Sequence, residues 1–254
     1  MKRATGEERA LARATVYRAL SLSFSYPTPD LFAELPSALQ FAGVGADLLG
    51  AKVAAGIEGM TSRLSEIDQR RVEQSYMSVF TLSYSEDCPP YETAFSASHL
   101  FQQSRHQADI AGFYRAFGVL PHGDRPDHLS TELEFCYLLA VHESRAREAG
   151  NAESVSLCRN AQRLFLREHL ARWAPSIAGR IAVTARGGFH GAAASTLHTF
   201  IAWEERFLRL GKIERYRDEP LPAEPLEEFS CPFDEAAPFC DLHLLETGRG
   251  ATDG

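Results

Sequence analysis

Arg125-Pro126-Asp127-His128-Leu129-Ser130-Thr131-Glu132-Leu133-Glu134-Phe135 carries the chain out of a loop and into a strongly apolar helix. Pro126 is tolerated in a first helical turn, where its missing N–H has no helical partner to lose. Asp124 or Asp127 is placed to cap the helix and to gain from its dipole. The pattern predicts a helix to about Ala149, closed by Gly150-Asn151, with Leu133, Cys136, Tyr137 and Ala140 facing the core. His128 and Glu132, four residues apart, share a face, and Asp127 and Glu134 lie two turns apart nearly in line. Such a helix start offers several carboxylate acceptors and one titratable ring, partly open to solvent. That arrangement suits guanidinium groups, which carboxylates hold in pairs. The plainer alternative is Asp127 as a cap only and His128 as a surface residue.

Outward from this stretch the pattern stays helical. Apolar residues recur at helical spacing from Glu7 to Tyr26, and Pro29-Asp30 opens a short piece through Leu35. Residues 36–59 are rich in Gly and Ala and carry no clear pattern. Helices are predicted over about Thr61–Leu82, His99–Phe117, Ala152–Trp173, Ser176–Ala185 and Phe189–Leu210. No strand alternation of useful length and no internal repeat is present. The expectation is an all-α chain. Residues 1–211 make a single globular domain of eight or nine helices, and 212–254 a Pro-rich, acidic, Cys-containing tail, loosely held.

Composition limits the function classes. The chain has 254 residues and is 44% hydrophobic, enough for a real core. Its net charge of -8 argues against binding nucleic acid, which needs clustered Lys and Arg, and favours a basic protein or peptide. Five widely spaced cysteines without a CxxC read as reduced thiols. The N-terminal residues do not read as a signal peptide, and no apolar run approaches bilayer length. The expectation is a cytoplasmic protein without stable membrane insertion.

A second segment, Cys88-Pro89-Pro90-Tyr91-Glu92-Thr93-Ala94-Phe95, has the same mixed character. Its two prolines fix an extended loop. The loop is either a connector whose aromatics plug the core, or the rigid lip of a groove with Tyr91 and Phe95 as walls and Glu92 as polar anchor. HExxH, GxSxG and phosphate-loop motifs are missing, so no catalytic residue, metal or cofactor is expected. Cys231, Cys240 and His243 in the tail lack a standard ligand spacing and read as free thiols and a histidine.

Three blocks, in this order and spacing, resemble the TorD/NarJ-type family of cytoplasmic chaperones that assemble molybdenum oxidoreductases. They are Pro90-Tyr91-Glu92-Thr93; Ala108-Asp109-Ile110-Ala111-Gly112-Phe113-Tyr114-Arg115-Ala116-Phe117-Gly118; and Arg125-Pro126-Asp127-His128 leading into Glu132-Leu133-Glu134-Phe135. The likeness runs from about Leu11 to Leu210 and looks greatest toward the branch serving dimethylsulfide-dehydrogenase-type enzymes. It implies an all-helical chaperone that binds the twin-arginine leader, and often the body, of a molybdopterin-containing catalytic subunit while the cofactor is inserted and export is delayed. It also implies that the Asp127-His128 pair and the Pro89-Pro90-Tyr91 loop take part in leader binding. The loop lacks the tryptophans that some relatives carry. The expected leader site comprises Pro89, Pro90, Tyr91, Glu92, Phe95, Asp127, His128 and Glu132. The chain is expected as a monomer or, with residues 118–126 as a hinge, a swapped homodimer. Two rivals stand beside this: a small helical hydrolase using Asp127, His128 and Glu132, and a helical scaffold without leader specificity.

Overall fold

The computed structural model describes residues 4–80, 87–97, 99–121 and 125–222. Its order is α1 (Gly6–Phe24), α2 (Pro29–Ala46), a 3-10 turn (Asp47–Leu49), α3 (Ala51–Ser65), α4 (Gln69–Phe80), α5 (Thr93–Ser96), α6 (Leu100–Ala116), α7 (Leu129–Glu148), α8 (Ala152–Glu168), α9 (Leu170–Thr184) and α10 (Phe189–Leu208). Among the described residues there are ten α-helices and no strand, so the fold is all-α as expected. None of these helices is long and apolar enough to cross a membrane.

α1 is the axis of the molecule. Thr5 and Glu8 form a capping box at its start. Its alanines let α7 and α2 pack closely; at Gly45 a methyl group would stand 2.8 Å from the Ala12 Cβ. α10 packs against α9 and α3 on the other side. Arg13 of α1 is fully buried and ties four helices together. It donates to Glu204 of α10 at 2.6 and 2.9 Å and to Glu143 of α7 at 3.0 Å, and it also bonds Gln162 of α8.

Several predicted boundaries move, each for a local reason. The short piece ending at Leu35 continues through Pro36 to Ala46, because Leu35, Ala38, Leu39 and Ala42 bury one face. The helix predicted over Thr61–Leu82 is two helices: α3 ends at Ser65, and the Asp68 carboxylate accepts the Arg71 amide at 2.9 Å to start α4. The helix predicted to end near Pro175 breaks earlier, at His169, whose φ of −128° and ψ of −98° leave the helical region. Gly118 and Gly150 do close α6 and α7, with φ of 70° and 65°. Leu11, one of the apolar residues of α1, is 52% exposed.

Residues 212–222 lie along the helical body. Tyr216 donates its amide to the Arg172 carbonyl at 3.0 Å, Leu221 donates to Ala94 at 2.7 Å, and Ser176 bonds Asp218 at 3.0 Å. The expectations for Asp124, Cys231, Cys240 and His243 fall outside the described residues.

Candidate functional site

The two segments singled out in the sequence meet. Tyr91 and His128 form an isolated antiparallel bridge. Its hydrogen bonds run from the Glu92 amide to the Asp127 carbonyl and from the Leu129 amide to the Pro90 carbonyl, both at 2.9 Å. Extended backbone is what a double proline imposes, so the loop adds one strand-like rung to the residues preceding α7. The Tyr91 and His128 rings meet edge to face at 5.2 Å, and the Arg125 guanidinium covers Tyr91 at 4.3 Å.

The cap of α7 is His128, not Asp127. Its Nδ1 accepts the Ser130 amide at 3.2 Å, with Ser130 Oγ 2.7 Å away. Asp127 is fully buried and holds the loop from behind. Its carboxylate accepts from Thr93 Oγ1 at 2.6 Å, the Thr93 amide at 3.3 Å, and Arg125 at 2.8 and 3.0 Å.

The expectation that these groups stay partly open to solvent is therefore corrected. Glu92, Asp127 and Glu132 are each 0% exposed, and His128 and Phe95 are each 2%. Only Pro89 and Tyr91 of the expected set are half-buried; Pro90 is buried. Helix geometry accounts for Glu132: it lies three residues after Leu129 and four before Cys136, on the face that packs inward. Burial first, and then the neighbouring Glu92, push the Glu132 carboxyl well above the usual carboxylate range. Its Oε2 accepts from Trp173 Nε1 at 3.1 Å. A carboxyl enclosed in this way is out of a guanidinium's reach.

Open surface lies next to this corner. A groove of about 730 Å³ is bounded by the end of α1, the start of α2, the segment after α6 and the first half of α7. Leu22, Tyr26, Leu31, Val119 and Leu138 supply much of its wall. On its side, Arg18 donates to Glu34 at 2.8 and 2.9 Å and to Glu134 at 2.9 Å; those two glutamates are 46% and 58% exposed. Asp127, His128 and Glu132 do not line it.

Behind the loop, Glu92 sits between two histidines that sequence spacing did not connect. Its Oε1 is 2.9 Å from His106 Nε2 on α6, and its Oε2 is 3.3 Å from His169 Nδ1 at the α8–α9 break. Burial alone would raise the Glu92 carboxyl, but the hydrogen bonds and charges of the two imidazoles outweigh it and bring it down to about 2. Burial pulls His106 down while Glu92 raises it more, so its net shift is upward. Among the described residues these three are the group whose donor atoms stand close enough to share an ion, within 4.8 Å of one another.

Residues 46–179 match the family model described as nitrate reductase delta subunit. The perchlorate reductase assembly chaperone protein of Dechloromonas aromatica (strain RCB) is 24% identical over 190 residues, covering 68% of this chain and 80% of that protein. The chlorate reductase assembly chaperone protein of Ideonella dechloratans is 32% identical over 181 residues, 68% of this chain and 78% of the other. The selenate reductase assembly chaperone protein of Thauera selenatis is 41% identical over 80 residues, 30% of this chain and 40% of that one. The chain belongs to the nitrate reductase delta subunit family, the TorD/NarJ type that its sequence blocks resemble.

Proposed function

We propose that this protein is a cytoplasmic assembly chaperone, not an enzyme, for the catalytic subunit of a molybdenum-containing reductase of the oxyanion-reducing kind. The observation that carries the reading is the similarity, over more than three quarters of their length, to chaperones that assemble perchlorate and chlorate reductases. It holds the subunit while the molybdenum cofactor is inserted and releases it for export afterwards.

The twin-arginine leader of the client docks at the corner of Pro89, Pro90, Tyr91, Glu92, Phe95, Asp127, His128 and Glu132. The buried members act from inside. Asp127, through Thr93 and Arg125, fixes the loop; Glu92, Glu132 and Phe95 hold its inner side. The adjoining apolar groove takes the apolar part of the leader, and Glu34 and Glu134 are the carboxylates that its guanidiniums reach, in exchange with Arg18.

The test is maturation. The catalytic subunit of such a reductase, with and without its leader, is expressed in the presence and absence of this chain. Bound molybdenum and reductase activity should rise several-fold with the chaperone. Equal molybdenum content in both arms overturns the chaperone reading. A gain that does not depend on the leader overturns leader docking only.

A further inference from the structure

The geometry points to a divalent transition-metal site made by Glu92, His106 and His169, where the proline loop, α6 and the α8–α9 break converge. Two imidazoles and one carboxylate are the donor set of zinc and ferrous sites that keep open positions; magnesium and calcium prefer oxygen alone. In a tetrahedral shell with bonds of about 2.0–2.1 Å, adjacent donor atoms stand roughly 3.3 Å apart. His106 Nε2 stands 2.9 Å from Glu92 Oε1 and His169 Nδ1 3.3 Å from Glu92 Oε2, so each imidazole meets its own carboxylate oxygen. With one donor atom taken from each residue the three lie within 4.8 Å of one another, and the His106 side chain, 22% exposed, is the member with room to turn inward.

A carboxylate stands behind one of the two imidazoles. His169 is 1% exposed, and its Nε2 has no hydrogen-bond partner. Asp109 Oδ2 stands 3.6 Å from that nitrogen, on the far side of the ring from the Glu92 contact. A carboxylate behind a ligating imidazole fixes its tautomer and strengthens it as a donor. A hydrogen-bonded His–Glu–His array without an ion accounts for the Glu92 contacts. With an ion on Nδ1, His169 Nε2 would carry the proton and face Asp109. His106, 22% exposed, is the side from which an ion enters. A bound ion would lock the loop carrying Tyr91 to α6 and to the α8–α9 break. This inference is independent of the chaperone reading, since it concerns the isolated chain.

The full-length chain is stripped with chelator and titrated with cobalt(II), then zinc(II). The expected result is one cobalt per chain with the visible bands of nitrogen and oxygen ligation, displaced by zinc, and a higher melting temperature in the loaded protein. His106→Ala and the isosteric Glu92→Gln should each abolish the bands and the melting shift. Asp109→Asn should keep the bands and weaken binding about tenfold. No stoichiometric uptake at micromolar metal overturns the site. So does uptake unchanged in whichever of the two ligand variants folds, or a thiolate-to-cobalt charge-transfer band, which would place the ion on the cysteines.

Discussion

The Glu92 amide donates to the Asp127 carbonyl at 2.9 Å, yet the two carboxylates turn to different partners. Asp127 faces Thr93 and Arg125; Glu92 faces His106 and His169. One short backbone rung thus joins two polar clusters, and the loop between them is held from both directions. Neither carboxylate reaches solvent. Their contribution to binding is to keep Pro89 and Tyr91 in one place, so that a partner meets a preformed surface and loses less entropy on docking.

If Asp127 fastens the loop, Asp127→Ala should destabilise the protein by about 2–3 kcal/mol, the usual cost of losing charge-assisted hydrogen bonds and leaving the Thr93 hydroxyl buried without its acceptor. Arg125 is 42% exposed, and Arg125→Ala should cost about 1 kcal/mol or less. Urea denaturation of both variants checks this. An Asp127→Ala midpoint equal to that of the parent would show that the knot does not hold the loop.

The buried Arg13 cluster makes a different prediction. Arg13→Met leaves Glu204 in the core without its partner and should cost about 3–5 kcal/mol. Glu143 keeps Arg147 at 2.7 Å and Arg159 at 3.1 Å, so it stays paired. Adding Glu204→Leu to Arg13→Met should recover most of the loss, because an apolar pair of similar volume replaces the ion pair. Thermal melts of the single and double variants decide it. A double variant no better than the single one would mean that packing, not charge, is lost.

The helical class was legible because apolar periodicity survives along nearly the whole chain, and Gly118 and Gly150 stop helices where glycine usually does. The breaks at Glu66 and His169 were not legible. Periodicity runs across both, and at His169 no glycine or proline marks the turn. At the site, the family resemblance placed the two segments together, but their burial was not legible. Glu132 carried a readable signal, since Leu129 and Cys136 flank it on the core face. The Glu92–His106–His169 cluster carried none: its members are 14 and 77 positions apart and come from separate elements.

His190 gives the protein an acid-sensitive element away from that cluster. Burial holds its imidazole down at about 4, among Tyr76, Phe80 and Phe189, with Ser75 Oγ 2.8 Å from Nδ1. Between pH 6.5 and about 4 the unfolded chain binds a proton at this residue and the folded one does not, so stability falls as the pH falls. The loss should reach about 3 kcal/mol and then level off below pH 4. His190→Phe should flatten that part of the profile. Unfolding free energies measured at several pH values for parent and variant check it; parallel curves would exclude His190 as the cause.

Leader docking at the groove moves the guanidinium acceptors away from the carboxylates expected from the sequence. Glu132, one of those, is fully buried, whereas Glu34 and Glu134 are exposed beside the apolar wall. A twin-arginine leader peptide titrated by calorimetry should bind the Glu34→Gln, Glu134→Gln double variant about five- to tenfold more weakly. Exposed pairs are each worth only about 0.2–1 kcal/mol, and the unpaired Arg18 then repels the peptide. Affinity should fall off with added salt in the parent and less so in the double variant. Glu132→Gln should leave the affinity close to that of the parent, since the side chain is fully buried and the amide has the same shape. If Glu132→Gln is the variant that loses binding and the double variant is unaffected, the guanidiniums enter the buried corner, and the groove is not the docking surface.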